Sequence, residues 1–192
     1  MTDTFPCGWA PLTDQLYRDY HDHEWGVPER DGRALWEKLQ LDGMQAGLSW
    51  ITILRKRENY RAAFDQFDPE KVARYDEAKI TDLLNNPGIV RNRAKIRSAV
   101  NNAQAVLRLQ DEQGSLSDYL WSFVDGQTQH HTWAALSDIP AETDISRSMS
   151  KDLKKRGFTF VGPTICYAMM QAVGMVNDHT LDCFRRDELA SL

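Results

Sequence analysis

Residues Ser150–Gly174 read SKDLKKRGFTFVGPTICYAMMQAVG: a charged helix, a turn bounded by Gly157 and Gly162, and an apolar helix opened by Pro163. Proline at a first helical position forfeits no hydrogen bond, because the first N–H groups of a helix have no internal acceptor. The stretch is expected to fold as a helix–hairpin–helix. Its turn would present consecutive backbone N–H groups at a helix N-terminus, an arrangement that suits a phosphate. Lys154, Lys155 and Arg156 add positive charge beside it. An ordinary corner between two helices would give the same pattern.

Outward from the hairpin the chain keeps a helical period. Helices are expected over 14–23, 34–41, 48–66, 68–75, 77–85, 91–110, 116–124, 145–156, 163–174 and 179–189, with 125–144 as loop. Asp68-Pro69 supplies a cap followed by a first-turn proline. Phe158–Gly162, FTFVG, is the one β-like run and is too short to build a sheet. The fold class is therefore all-α. The expected organisation is a single unit, residues 1–192, of two helical lobes: 30–145, and 1–29 together with 146–192.

Leu41–Trp50, LDGMQAGLSW, reads as the end of one helix, a glycine-softened corner and the start of the next. Glycine in a helix costs about 0.5–1 kcal/mol against alanine. Gly43 and Gly47 therefore suggest that something approaches the backbone, with Asp42 as the acid beside it. A tight corner with an incidental acid is the competing reading.

Composition narrows the function classes. With 192 residues, 42% hydrophobic and 27% charged, the chain is long enough for a sizeable core and is not of a disordered type. It carries no long uncharged apolar run, so no membrane span is expected. The N-terminus lacks a basic region followed by an apolar stretch, so a cytoplasmic location is expected. Three cysteines in such a compartment are thiols or metal ligands, not a disulfide framework. The net charge of −5 argues weakly against nucleic acid, but a phosphate backbone feels local patches. Two exist: Arg91, Arg93, Lys95 and Arg97, and Lys151 with Lys154–Arg156.

Two constellations carry chemistry. His179 and Cys183 sit at i and i+4, which would share a face on a helix. Cys7 and His21 complete a Cys2His2 inventory, the composition of a closed zinc site, although the spacing is not that of a zinc finger. Such a metal would tie the termini together and do structural work. Cys166 lies in an apolar helix and reads as a core thiol. Trp9, Tyr20, Trp25, Trp50 and Asp42 would converge if the first three helices pack together. Indoles stack on flat rings and favour cationic ones, and a carboxylate accepts from an exocyclic amine. A plain aromatic core would use the same residues.

These segments together resemble the bacterial 3-methyladenine DNA glycosylase I family. The resemblance rests on CGW (7–9), YHDHEWGVP (20–28), QAGLSWITILRKRENYRAAF (45–64), GIVRNRAKI (88–96), LKKRGFTFVG (153–162), and VNDH (176–179) with Cys183. It implies an all-α fold of the helix–hairpin–helix superfamily and hydrolysis of the N-glycosidic bond of a flipped, damaged base in double-stranded DNA. It implies structural zinc on Cys7, His21, His179 and Cys183. By position it implies a base pocket of Tyr20, Trp50, Trp9 and Asp42, with Asp42 and Tyr20 as the catalytic pair. It places Gly47 and Leu48 where the family fills the gap left by the flipped nucleotide, and makes Lys154, Lys155, Gly157 and Gly162 the phosphate anchor. A monomer is expected.

The chain departs from the family at one position. Asp42 stands where the family usually carries glutamate, one methylene longer, which opens a glycosylase with shifted base preference as an alternative. A non-catalytic binder of damaged DNA and a nucleobase or nucleoside hydrolase are the other classes. The latter would need no basic patches, so a steep salt dependence of DNA binding separates it.

Overall fold

The computed structural model describes residues 5–191. Eleven α-helices follow in order: α1 Gln15–His23, α2 Gly32–Gln45, α3 Trp50–Leu54, α4 Arg57–Ala63, α5 Pro69–Val72, α6 Glu77–Asn85, α7 Arg93–Gln113, α8 Leu116–Trp121, α9 Asp144–Lys155, α10 Pro163–Ala172 and α11 Phe184–Ala190. Strands β1 Gln129–His130 and β2 Val176–Asn177 form a two-residue parallel pair. The all-α expectation holds.

Most starts are capped as the sequence suggests. Asp14, Asp31, Asp68, Asp76, Asn92, Ser115 and Thr143 each accept from a first-turn N–H through the side chain. Three expected helices differ. The 48–66 segment breaks at Arg55–Lys56, where the chain tightens and Lys56 Nζ reaches the Pro87 and Gly88 carbonyls at 3.1 and 3.3 Å. Periodicity runs through both pieces, so a single tightened turn is invisible to it. Helix α2 continues to Gln45, so Asp42 and Gly43 lie inside a helix and not at its corner. His179 precedes α11 in irregular chain, so the i, i+4 helical face expected for His179 and Cys183 does not exist.

One core cluster runs from Leu35 to Val124 and on from Met149 to Val176, so the hairpin helices pack into the same apolar interior as α2 and α7. A smaller cluster of Cys7, Tyr20, Trp25, Leu54, Ala172 and Cys183 joins the two ends of the chain. Gly174 closes this junction. Its φ is +72°, and an added Cβ would lie 2.6–2.7 Å from the backbone of Gly26–Pro28. A side chain there is excluded on both counts.

Asp178, buried just beyond β2, organises the segment between α10 and α11. Its Oδ1 accepts from His131 Nδ1 (2.6 Å) and Trp133 Nε1 (2.8 Å), and its Oδ2 from Tyr167 Oη (2.6 Å) and Gln171 Nε2 (2.8 Å). Burial pushes this carboxyl up, but the bonds from His131, Tyr167, Trp133 and Gln171 outweigh it and hold it below the ordinary 3.8. A depressed carboxylate contributes stability that is present above the unfolded value and is lost as pH falls through the folded one. Asp178→Asn is expected to destabilise the fold at neutral pH by about 2–3 kcal/mol and to flatten the acid limb of the stability profile. Urea titrations from neutral to acidic pH read both.

Candidate base-binding and DNA-contacting site

Helix α7 holds two loops with one row of side chains, Lys95, Ser98 and Asn102. Asn102 Oδ1 accepts from the Thr159 N–H (2.8 Å) while Asn102 Nδ2 donates to the Thr159 carbonyl (2.9 Å), as a neighbouring strand would. Ser98 Oγ lies 2.8 Å from Thr159 Oγ1, and Asn101 Nδ2 donates to the Gly157 carbonyl (2.6 Å). The hairpin 157–162 is thereby fixed in a conformation with φ of +90° at Gly157 and +56° at Phe160. The second value is unusual for an aromatic residue and needs such external support. Among the described residues, no protein acceptor meets the N–H groups of Phe160, Val161, Gly162, Thr164 and Ile165. These groups belong to the turn and to the start of α10.

Lys95 is the surprise in that row. It counts toward the first basic patch in sequence, yet it is 7% exposed, and its Nζ donates to the Met44 (2.9 Å) and Ala46 (2.5 Å) carbonyls. It therefore caps α2 and fixes the corner Ala46–Ser49. At that corner Gly47 has φ +76° with open space around it, and Leu48 is 41% exposed. Arg93 and Arg97 both pair with Glu77, which leaves Arg91 of the expected patch without an ion pair among the described residues. Arg156 is likewise held by Asp152 (2.8 Å) and Glu112 (3.1 Å). Exposed Lys154 and Lys155 have no such partner among the described residues.

Asp42 faces a cavity of about 200 Å³ lined by Trp9, Tyr17, Tyr20, Trp25, Lys38, Gln45, Trp50, Ile139, Ala168 and Gln171. The aromatics expected to converge do so. Tyr20 and Trp50 lie 5.3 Å apart between ring centroids, and Trp9 and Trp25 5.0 Å. Asp42 is 1% exposed. Its Oδ1 accepts from Lys38 Nζ, one helical turn back, while its Oδ2 is buried without a partner among the described residues. Burial pushes the Asp42 carboxyl up and the Lys38 ammonium down, so the mutual attraction does not recover the cost of desolvation. Burial also pushes the Tyr20 hydroxyl well above its usual value. A larger cavity of about 250 Å³ shares Tyr20, Lys38 and Trp50 with it and also takes in the ion pairs Glu24–Arg57 and Glu37–Arg61.

Sequence reasoning missed Lys38, although its i, i+4 spacing to Asp42 was there to be read. Gln171 and Ala168 reach the cavity from α10 and left no signal in the sequence. Gln171 also bonds Asp178, so that buried carboxylate acts on the cavity wall through Gln171.

Cys7, His21, His179 and Cys183 converge, all buried, with ligand atoms within 4.8 Å of one another, and could hold a metal ion. His179 Nδ1 lies 3.4 Å from Cys7 Sγ and 3.2 Å from Cys183 Sγ, and His21 Nε2 lies 3.4 Å from Cys183 Sγ. Tetrahedral bonds of about 2.0–2.3 Å set N···S edges near 3.5 Å, so the group fits. The outer ring atoms are already engaged, His21 Nδ1 with Asp22 (2.6 Å) and His179 Nε2 with the Trp25 carbonyl (3.2 Å). That leaves the inner nitrogens as acceptors: His179 Nδ1 faces the two sulfurs, and His21 Nε2 also accepts from the Cys7 N–H at 3.1 Å. A shared hydrogen bond with Cys7 and bonds from both histidines pull the Cys183 thiol well down, while Cys7 is pushed up.

The fold and this cavity define a helix–hairpin–helix protein with an aromatic, carboxylate-bearing pocket lined in part by the helix after the hairpin. A protein-family model described as methyladenine glycosylase matches residues 9–186. The chain is 52% identical over 177 residues to DNA-3-methyladenine glycosylase 1 of Escherichia coli (strain K12), spanning 92% of this chain and 94% of that one. A crystal structure of 3-methyladenine DNA glycosylase I matches with a TM-score of 0.92 at 53% identity, covering 94% of this chain and 98% of the other. A variant of 3-methyladenine DNA glycosylase I solved in complex with 3-methyladenine matches at 0.91 and 39% identity, over 94% and 97%. The chain belongs to the methyladenine glycosylase family.

Lys95→Met is expected to leave the Met44 and Ala46 carbonyls unpaired and to cost about 2–3 kcal/mol of stability. Hydrogen exchange checks it locally: the Leu48 amide, now bonded to the Gln45 carbonyl at 2.6 Å, should exchange faster than the core of α7.

Proposed function

We propose that this protein is a monofunctional DNA-3-methyladenine glycosylase of base-excision repair. It would release a flipped 3-methyladenine from alkylated double-stranded DNA and leave an abasic site. The observation that carries the reading is the Oδ2 of Asp42, without a partner among the described residues and buried in an aromatic cavity that the helix after the hairpin also lines. A buried acceptor without a donor costs about 1–3 kcal/mol, which an exocyclic amine would recover. Tyr20, Trp50 and Trp9 stack on the ring, and Tyr20 with Asp42 forms the group in contact with the reacting base. Gly47 and Leu48 enter the duplex gap. The hairpin from Gly157 to Gly162 holds backbone phosphate with its free N–H groups, and Lys154 and Lys155 supply the charge.

A base methylated at N3 is cationic and leaves as a neutral ring, so the leaving group needs no proton. The C1′–N bond breaks with its electron pair going to the ring; water adds to C1′ and loses a proton to solvent. The enzyme has to select, unstack and hold, and a lesion that stacks poorly is cheaper to flip. We propose with it the division of the chain into two lobes. Residues 1–29 and 146–192 supply Trp9, Tyr20, Ala168 and Gln171, and residues 30–145 supply Lys38, Asp42 and Trp50, so the base would be held between them. We further propose a monomer that works in the cytoplasm. No described helix is long and apolar enough to cross a membrane.

The closed Cys2His2 set is read as structural zinc that joins the chain ends, since four protein ligands leave no open position. Metal analysis of protein purified without added zinc should give one zinc per chain. Chelation should lower the melting temperature, because ligand binding to the folded state is linked to its stability. Absence of stoichiometric metal would sink this assignment.

Asp42 gives the direct test of activity. Asp42→Asn replaces an acceptor oxygen with a donor facing the amino edge of the ring. Release of 3-methyladenine from methylated DNA should fall by up to roughly a hundredfold, with binding to undamaged DNA nearly unaltered. Asp42→Glu restores the residue usual in the family. A drop in release marks a pocket packed around aspartate, and a rise marks aspartate as a handicap. Indifference to both changes would remove Asp42 from the pocket.

A further inference from the structure

Lys38 sets a positive charge of the chain's own against the indole and the acid of the base pocket. Its Nζ lies 3.7 Å from the centroid of the Trp50 ring, and it donates to Asp42, the one acid lining that cavity. Tyr20, Lys38 and Trp50 line both neighbouring cavities, so the ammonium stands between them. The other anions on that side are already engaged: Glu24 with Arg57 at 2.9 Å, Glu37 with Arg61 at 2.7 Å, and Glu29 with the N–H groups of Arg30 and Asp31 at 2.8 and 2.7 Å. Lys38 is thus committed to Asp42, and its charge cancels the attraction that Asp42 and the Trp50 face would otherwise exert on a positive ring.

We propose that Lys38 is a specificity-determining residue, a resident cation that turns the base pocket from a trap for positively charged rings into one that prefers uncharged purines. The proposal rests on the base-pocket reading above. It also answers a difficulty in that reading. A carboxylate that held the cationic base would stabilise the ground state and slow its departure. As the C1′–N bond breaks, the ring takes the electron pair and loses its charge, and a pocket neutralised by Lys38 favours that uncharged ring. Asp42 Oδ2 stays free to accept from the amino group, so the shape and edge of the ring are read without its charge.

Two probes separate charge from shape: 3,9-dimethyladeninium, a permanent cation with methyl in place of the sugar, and free 3-methyladenine, uncharged at mildly alkaline pH. Their affinities for the full chain are measured by calorimetry. The wild type should prefer the neutral ring by about tenfold or more. Lys38→Met, similar in length and uncharged, should abolish or invert that preference, and Lys38→Arg should keep it. Lys38→Gln gives a second uncharged variant should Lys38→Met fail to fold. Single-turnover release of 3-methyladenine from methylated DNA should slow in the uncharged variant in spite of tighter binding to the cation. An unchanged ratio of the two affinities, a wild type that prefers the cation, or faster release in the uncharged variant would each overturn the proposal. Binding of neither ring to wild type or variant would overturn the base-pocket reading itself and this proposal with it.

Discussion

Buried polar groups on one face of α7 must find partners, and satisfying them shapes the whole contact surface. Lys95, Ser98 and Asn102 are all under 9% exposed. A buried amide or ammonium without a partner costs more than any single packing contact gains. Asn102 resolves this by pairing with both backbone groups of Thr159, and Lys95 by taking two carbonyls at the end of α2. The hairpin and the Ala46–Ser49 corner are thus held by the same helix, at spacings of three and four residues. A rigid element between two loops is what a protein needs if one loop is to hold a phosphate while the other enters the stack.

The cavity shows the same economy with charge. Asp42 has been taken out of water and given one partner where its two oxygens could take several. Its second oxygen is left for something from outside. Lys38 limits the cost of that burial but does not remove it, as the shifts of both groups away from their charged forms show. Tyr20 and Trp50 line the cavity with aromatic surface, and a low local dielectric strengthens whatever hydrogen bond that oxygen makes.

The ends of the chain meet on the far side of Trp25. The His179 ring packs against Trp25 at 4.5 Å and uses its outer nitrogen on the Trp25 carbonyl. Gly26 is required there, since an added Cβ would lie 2.9 Å from His179 Nε2. Trp25 in turn packs on Trp9, which lines the cavity. The metal-competent cluster is therefore a support for the aromatic wall, one layer behind it, and its geometry is set by the histidines' outer bonds as much as by the four ligand atoms.

The sequence by itself determined the helical class, the glycine-bounded hairpin, most of the capped starts and the identity of the aromatic and Cys/His sets. Those follow from local rules: period, cap chemistry and residue type. It misjudged what depends on distant partners. Lys95 and Arg156 look like surface charge in a linear reading, but two carbonyls at the end of α2 absorb the first, and Asp152 one helical turn back with Glu112 on α7 absorb the second. His179 and Cys183 meet in irregular chain, although their spacing suggests a helix. Asp178 had no visible role until four donors from two segments, residues 131–133 and α10, closed on it. Only the tertiary structure decided which charges face solvent, which oxygen of Asp42 is free and that Lys38 stands against Trp50, because burial and pairing are properties of what packs alongside, and no local pattern records them.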